Sequence, residues 1–263
     1  MRTSFLLLFY LTFCAFSLEA QNQVSAQSII DQLDAGQSIN LENTTITGIL
    51  DFTAVADQRP DRNSDYGGED NVRSTVRQAI RFVNCRFEGK VQGYVRIDRR
   101  TGNPVSGGNN WMNNNRTFLR NVDFEAAVAF QHCTFEEEVN FKYTDFRQAV
   151  TFEESEFEEE VGFKYTEFDR AVSFIGVVFG DEATFKYTEF DDAISFAGAL
   201  FEGDAVFKYT EFNSDTDMSR AVFRDEAIFK YVDFPSNTTM DGTDWGPDPD
   251  FKYAKLGNRD FRG

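Results

Sequence analysis

The hexapeptide FKYTEF stands at Phe163–Phe168, Phe185–Phe190 and Phe207–Phe212, with altered copies starting at Phe141, Phe229 and Phe251, each 22 residues after the last. Its reactive groups are an ammonium and a phenol. Lys142, Lys164, Lys186, Lys208, Lys230 and Lys252 each precede a tyrosine: Tyr143, Tyr165, Tyr187, Tyr209, Tyr231 and Tyr253. A Lys beside a Tyr can move a proton in a lyase-type reaction. The same pair can hold an anion and offer an aromatic ring to a ligand. Copies on every repeat argue against catalysis, which needs one tuned pair rather than a row. Two rows of carboxylates share the period. Glu138, Glu160, Glu182, Asp204, Glu226 and Asp248 fall four residues before each Lys, and Asp145, Glu167, Glu189, Glu211 and Asp233 fall three after. Carboxylate rows could bind Ca²⁺, which takes six to eight oxygen ligands. However, no Asp-x-Asp-x-Asp-Gly loop is present and the lysines compete for those oxygens.

The elements that must position these groups follow from the large apolar residues. From Leu119 they fall at Phe124, Phe130, Phe135, Phe141, Phe146, Phe152 and onward, in steps alternating between five and six. Two residues before each sits a small or β-branched residue, such as Val128, Cys133, Val139 or Thr144. A helix wants steps of three and four, and a plain strand wants longer alternation. Two inward residues at a spacing of two make a very short strand, after which the chain turns a corner. Four such sides make one turn of 22 residues. Successive turns then stack as parallel strands about 4.8 Å apart, in a β-solenoid. The Phe of FKYTEF points inward onto the Phe of the next turn, whereas Lys and Tyr form outward columns.

The small residue, spacer and central Phe of VNFKYTDFRQAVTFEESEF and AVSFIGVVFGDEATFKYTEF resemble the pentapeptide-repeat family, in a variant with alternating five- and six-residue steps. The resemblance covers residues 117–261 strongly and 41–90 weakly. It implies an all-β, right-handed quadrilateral parallel β-helix, a bacterial source, and no catalytic motif to carry over. Some relatives resemble duplex DNA in shape and charge and act on gyrase.

Less regular segments surround this body. Residues 1–20 carry Arg2 and an apolar run, Phe5–Phe16, then a plausible processing site before Gln21. This reads as a signal peptide, the run of about twelve apolar residues being too short to span a bilayer. No other segment is apolar enough to span. The expected location is periplasmic, cell-surface or secreted. Residues 21–40 hold a short amphipathic helix that caps the open end of the solenoid, with Ile29, Ile30 and Leu33 on one face. The β-helix then runs over 41–263, interrupted by loops at 56–73 and 88–116, the second a hairpin or long loop. The short tail after Gly257 leaves the C-terminal end a candidate for end-to-end pairing of two copies.

Like charges about 4.8 Å apart repel by about 0.9 kcal/mol even in water, so something must answer the Lys column. One reading is a surface lattice in which the flanking carboxylates neutralise it. The other is a ligand-binding stripe for an acidic polysaccharide. Cys85 and Cys133 both precede a central Phe by two and would stack on adjacent coils, either as a disulfide or as two buried thiols. His132 should face solvent without a partner. With 44 Asp and Glu against 26 Lys and Arg in 263 residues, the chain is not built to bind nucleic acid. No cofactor or metal is expected. The expected function is that of a non-enzymatic, exported structural or interaction protein with a protein or polysaccharide partner.

Overall fold

The computed structural model describes residues 22–61, 71–105 and 116–262. They form the expected quadrilateral parallel β-helix. Short strands stack into four sheets, each linking one side of every coil to the same side of the next. The register is the 22-residue beat itself. Phe146 pairs with Phe168, Phe168 with Phe190 and Phe190 with Phe212. On the opposite sheet Phe135, Phe157, Phe179, Phe201 and Phe223 do the same.

Because every coil repeats the last, each Phe lies on its copy. Phe163, Phe185 and Phe207 are fully buried and stack at 5.2 and 4.7 Å between ring centroids. Rings of adjacent sides meet edge to face, as Phe174 meets Phe185 at 5.5 Å. Both geometries are favourable for aromatic pairs. The core is therefore one continuous aromatic pillar, from Phe52 to Phe251.

Two of the four corners carry a residue of positive φ. In each of these corners the N–H three residues after the Phe donates to the Phe carbonyl, as Thr166 does to Phe163 at 3.1 Å and Val177 to Phe174 at 3.2 Å. One corner places Asn43, Asn84, His132, Glu154, Gly176, Gly198, Arg220 and Gly242 in this conformation. The other places Tyr143, Tyr165, Tyr187, Tyr209, Tyr231 and Tyr253 there, with φ between +56° and +64°.

Both ends are closed. Helix α1 (Ala26–Asp34) starts at Ser25, whose hydroxyl accepts from the Ser28 N–H, and buries Ile29, Ile30 and Leu33. Ahead of it, Asn22–Ser25 adds a strand alongside Thr44–Thr47, which the sequence reading does not anticipate. At the other end Arg259–Asp260 folds back antiparallel on Lys255–Leu256, and Phe261 packs edge-on against Phe251 at 4.9 Å and Phe234 at 5.5 Å. The apolar end that motivates end-to-end pairing is thus covered by the chain's own Phe261. The expected signal peptide, residues 1–20, lies outside the described residues.

The insertions differ in detail from the expectation. In the first, Gln58–Pro60 pairs antiparallel with Val72–Val76. The second is a hairpin of Tyr94–Asp98 with Thr117–Asn121, and it begins later than residue 88, because Val91–Gln92 still belongs to the coil. Gly93 occupies the next Phe slot, which hides the beat. A Cβ there would come within 2.7 Å of the Phe141 ring, so the next coil's Phe fills the space. Arg73 ties these pieces to the body through Asp123 and through Asp145 at 2.8 Å. Arg147 holds Asp145 at 2.7 Å and Asp169 at 3.0 Å. Burial nevertheless pushes the Asp145 carboxyl up to about 7 against the pull of Arg73.

Truncating one ring of the pillar should leave a cavity that rigid neighbours cannot fill. Phe185→Ala is expected to lower stability by about 3–5 kcal/mol, read from chemical denaturation. A loss below about 1 kcal/mol would show that the rings do not pack as one unit.

Candidate functional site

The lysines and tyrosines are brought together as the sequence expects, on the corner between the sheet containing Val161–Gly162 and the sheet containing Glu167–Phe168. The tyrosine rings stack face to face, with centroids 4.9, 4.8, 4.9, 4.7 and 4.8 Å apart from Tyr143 to Tyr253. Holding a bulky residue at positive φ costs about 1–2 kcal/mol. The stack returns about 0.5–1.5 kcal/mol per pair, and a cation over the ring about 0.5–1 kcal/mol. The column thus roughly offsets the strain of its own backbone.

Below the column a ladder of threonines locks coil to coil. The hydroxyls of Thr166, Thr188 and Thr210 donate to the carbonyls of Phe141, Phe163 and Phe185 in the preceding coil, at 2.7, 2.6 and 2.7 Å. The opposite corner has Val177, Ala199 and Ala221 in this place on the middle coils and makes the same bond only from Ser155 and Thr243, so the run of three consecutive threonine bonds belongs to the tyrosine corner.

Lysine placement departs from the lattice reading. The ammoniums of Lys142, Lys164, Lys186 and Lys208 lie over the following tyrosine rings at 4.8, 5.2, 5.2 and 5.1 Å. Among the described residues none of these four forms an ion pair. Lys230 alone in the row is neutralised, by Asp250 at 2.6 Å, and Asp250 belongs to neither anticipated carboxylate row. Burial first, then Lys164 and Arg96, bring the Lys142 amine down to about 8. Burial and then Lys186 lower Lys164 as well.

Among the described residues the acidic rows are neutralised toward their ends, where Arg147 reaches Asp145 at 2.7 Å and Glu167 at 3.5 Å. Lys90 holds Glu138 at 2.8 Å, and Lys255 holds Asp233 at 3.3 Å. Between them like charges stack. Burial, followed by the neighbouring carboxylates, raises Glu160, Glu182 and Glu189. Among the described residues no group of three or more His, Cys, Asp or Glu is arranged to hold a metal ion.

The sequence reading misses the column's upper end. Tyr94, from the inserted hairpin, lies 5.6 Å from Tyr143, and the Lys142 ammonium is 5.1 Å from its ring. No periodicity announces Tyr94, because it lies just past Gly93, where the beat is lost. The reading also takes the tyrosine faces as ligand contacts. From Tyr143 to Tyr231 both faces are occupied by other column rings, so the column presents ring edges, hydroxyls and ammoniums.

Residues 119–167 and 163–211 match the family description "Pentapeptide repeats (9 copies)". This stretch is similar to pentapeptide repeats, and the matched residues carry four of the six Lys–Tyr pairs. The solved structure of HetL, a pentapeptide repeat protein involved in heterocyst differentiation regulation from the cyanobacterium Nostoc sp. strain PCC 7120, aligns with 88% of this chain and 96% of its own. It does so at 10% identity and a TM-score of 0.21, a level that carries no argument. Comparison with curated proteins finds no match.

Cys85 and Cys133 occupy the same position on adjacent coils, each just before the paired Arg86 and Thr134, and both are buried free thiols. A hydrogen bond from the Cys133 thiol brings Cys85 down to about 7, while the same contact and burial push Cys133 up. His132 has a partner after all: its Nδ1 lies 3.2 Å from Glu154 Oε2, the residue one coil on at the same corner.

The Lys142 shift fixes a pH dependence. Between about pH 8 and the ordinary lysine range, the unfolded chain holds a proton that the folded chain has released. Stability must therefore rise with pH across that window. Denaturation midpoints of the parent protein should climb across it relative to Lys142→Gln. Parallel curves would show that Lys142 titrates as an ordinary lysine.

Proposed function

We propose that this is an exported, non-enzymatic interaction protein whose lysine–tyrosine corner binds an acidic polysaccharide along the solenoid axis. The reading is carried by one observation. In a chain with 44 acidic against 26 basic side chains, Lys142, Lys164, Lys186 and Lys208 sit between carboxylate rows and pair with neither. Four cations in register, each beside a phenol, suit a linear polymer that bears an anion at regular intervals. A neutral sugar chain suits it less, since stacked rings offer no face along the column. The body's negative charge does not forbid this, because exposed charges are screened beyond about 8 Å at physiological salt. The pair Lys230–Asp250 favours the competing view, a rod whose surface charges serve stability alone.

The signal-like leader supports a location in the periplasm, at the cell surface or outside the cell. Such compartments permit oxidation. The adjacent thiols of Cys85 and Cys133 would then close as a disulfide. Protein collected from its exported location should show no titratable thiol after denaturation. Two reactive thiols per chain would rule out both the bond and an oxidising location.

The stripe is tested with polygalacturonate in calorimetry. Lys164→Gln, Lys186→Gln and Lys208→Gln together should weaken binding by about tenfold or more and flatten its salt dependence. Replacing Tyr165, Tyr187 and Tyr209 by Phe should leave stability intact and weaken binding less. Unchanged affinity in the lysine variant would remove the stripe.

A further inference from the structure

We infer that the C-terminal end of the tyrosine column is a second binding place, a cleft for one acidic sugar residue seated on the outer face of Tyr253. The inference takes its ligand class from the proposed stripe and adds to it a terminal subsite.

Tyr253 differs from every other ring of the column. It stacks on Tyr231 at 4.8 Å, and among the described residues no other tyrosine ring stacks on its far side. It is 60% exposed, against 37% for Tyr187 in the middle of the row. From Tyr165 to Tyr231 each ring is stacked on both sides by its neighbours. Tyr143 lies between Tyr94 and Tyr165. Among the described residues no column ring stacks on the outer face of Tyr253, which is thus an aromatic platform at this end of the column. Its backbone strain, with φ at +64°, is also offset by one stack rather than two. The copy here keeps Phe, Lys and Tyr although its last three residues differ, reading FKYAKL.

The platform borders a cleft of about 390 Å³, lined by Phe251, Lys252, Tyr253, Asp260, Phe261 and Arg262 among others. That volume is at the lower end for small-ligand sites, and the lining combines apolar walls with few polar groups, as such sites do. The Lys252 ammonium lies 5.1 Å from the Tyr253 ring centre, and neither Lys252 nor Arg262 forms an ion pair among the described residues. Each group fits one part of a hexuronic acid. The ring hydrogens of a pyranose rest on the tyrosine face, its carboxylate meets Lys252 and Arg262, and a hydroxyl donates to Asp260. A purely apolar ligand would strand three charged groups. A polyphosphate would be opposed by Asp260.

The experiment uses trigalacturonic acid, which is too short to occupy the whole row, with polygalacturonate alongside. Tyr253→Gly removes the ring and relieves the positive φ, so folding should survive. Arg220→Gly makes the same change on the opposite corner as a control. Tyr253→Gly should weaken the trimer by about tenfold or more and Arg220→Gly should not. Lys252→Gln with Arg262→Gln should do the same without touching the platform. Equal trimer affinity for Tyr253→Gly and the parent overturns the subsite, as does equal affinity for a neutral trigalactoside. The stripe fails separately: polymer binding then ignores the Lys164, Lys186 and Lys208 substitutions while trimer binding still depends on Tyr253.

Discussion

Everything in this molecule depends on the registration of one coil on the next. A ring can stack on its copy only if both sit at the same point of the turn. The peptide groups of each short strand must meet their partners at the same time. Two-residue strands have little stability of their own, so neighbours supply it, as in other quasi-one-dimensional folds. Insertions are accepted only where the chain can leave a side and return in register. The hairpin of Tyr94–Asp98 with Thr117–Asn121 does this, since Val122 resumes the coil opposite Ser74.

Registration also imposes a penalty on the outside. Whatever a coil carries at one surface position, the next coil places about 4.8 Å away. For tyrosine this is favourable, because rings stack. For lysine or glutamate it is repulsive. Burial first, and then this repulsion, raises the carboxyls of Glu160 and Glu182 and lowers the amine of Lys164. A chain can tolerate such rows by neutralising them, as it does at the ends with Lys90 and Lys255, or by leaving them to meet something else.

The inward half of this design is legible in the amino acids. The 22-residue beat gives the four sides, the register and the identity of the core, because burial of Phe leaves a periodic trace. It fails at Gly93, where the trace is erased because a ring from the next coil takes the space. The outward half is legible only in part. Spacing places the lysine and tyrosine columns side by side and Cys85 next to Cys133. It does not reveal which neighbour a flexible ammonium chooses, since a long side chain can reach both the adjacent phenol and the carboxylates three or four residues away. Nor does it reveal Phe261 folded over the open end or Tyr94 lying against the top of the column. Both residues stand off the beat or after a break in it.

The choice of tyrosine at one corner is the point at which fold and function separate. The opposite corner makes a turn of the same kind and fills it variously, with Gly176, Gly198 and Gly242, with Asn43 and Asn84, and with the bulkier His132, Glu154 and Arg220. That turn thus accepts many residue types, whereas the tyrosine corner repeats a single one on six coils in a row. Six consecutive tyrosines bring strain that their own stacking must offset, and the net gain is close to nothing. The column therefore holds its strained backbone at no net loss, and ring stacking in register is what makes that possible. The corner that carries it also carries the unpaired lysines and the ladder of Thr166, Thr188 and Thr210 that fixes its spacing. Rigid spacing matters little to a surface that only faces water, and a great deal to one that must match a repeating partner.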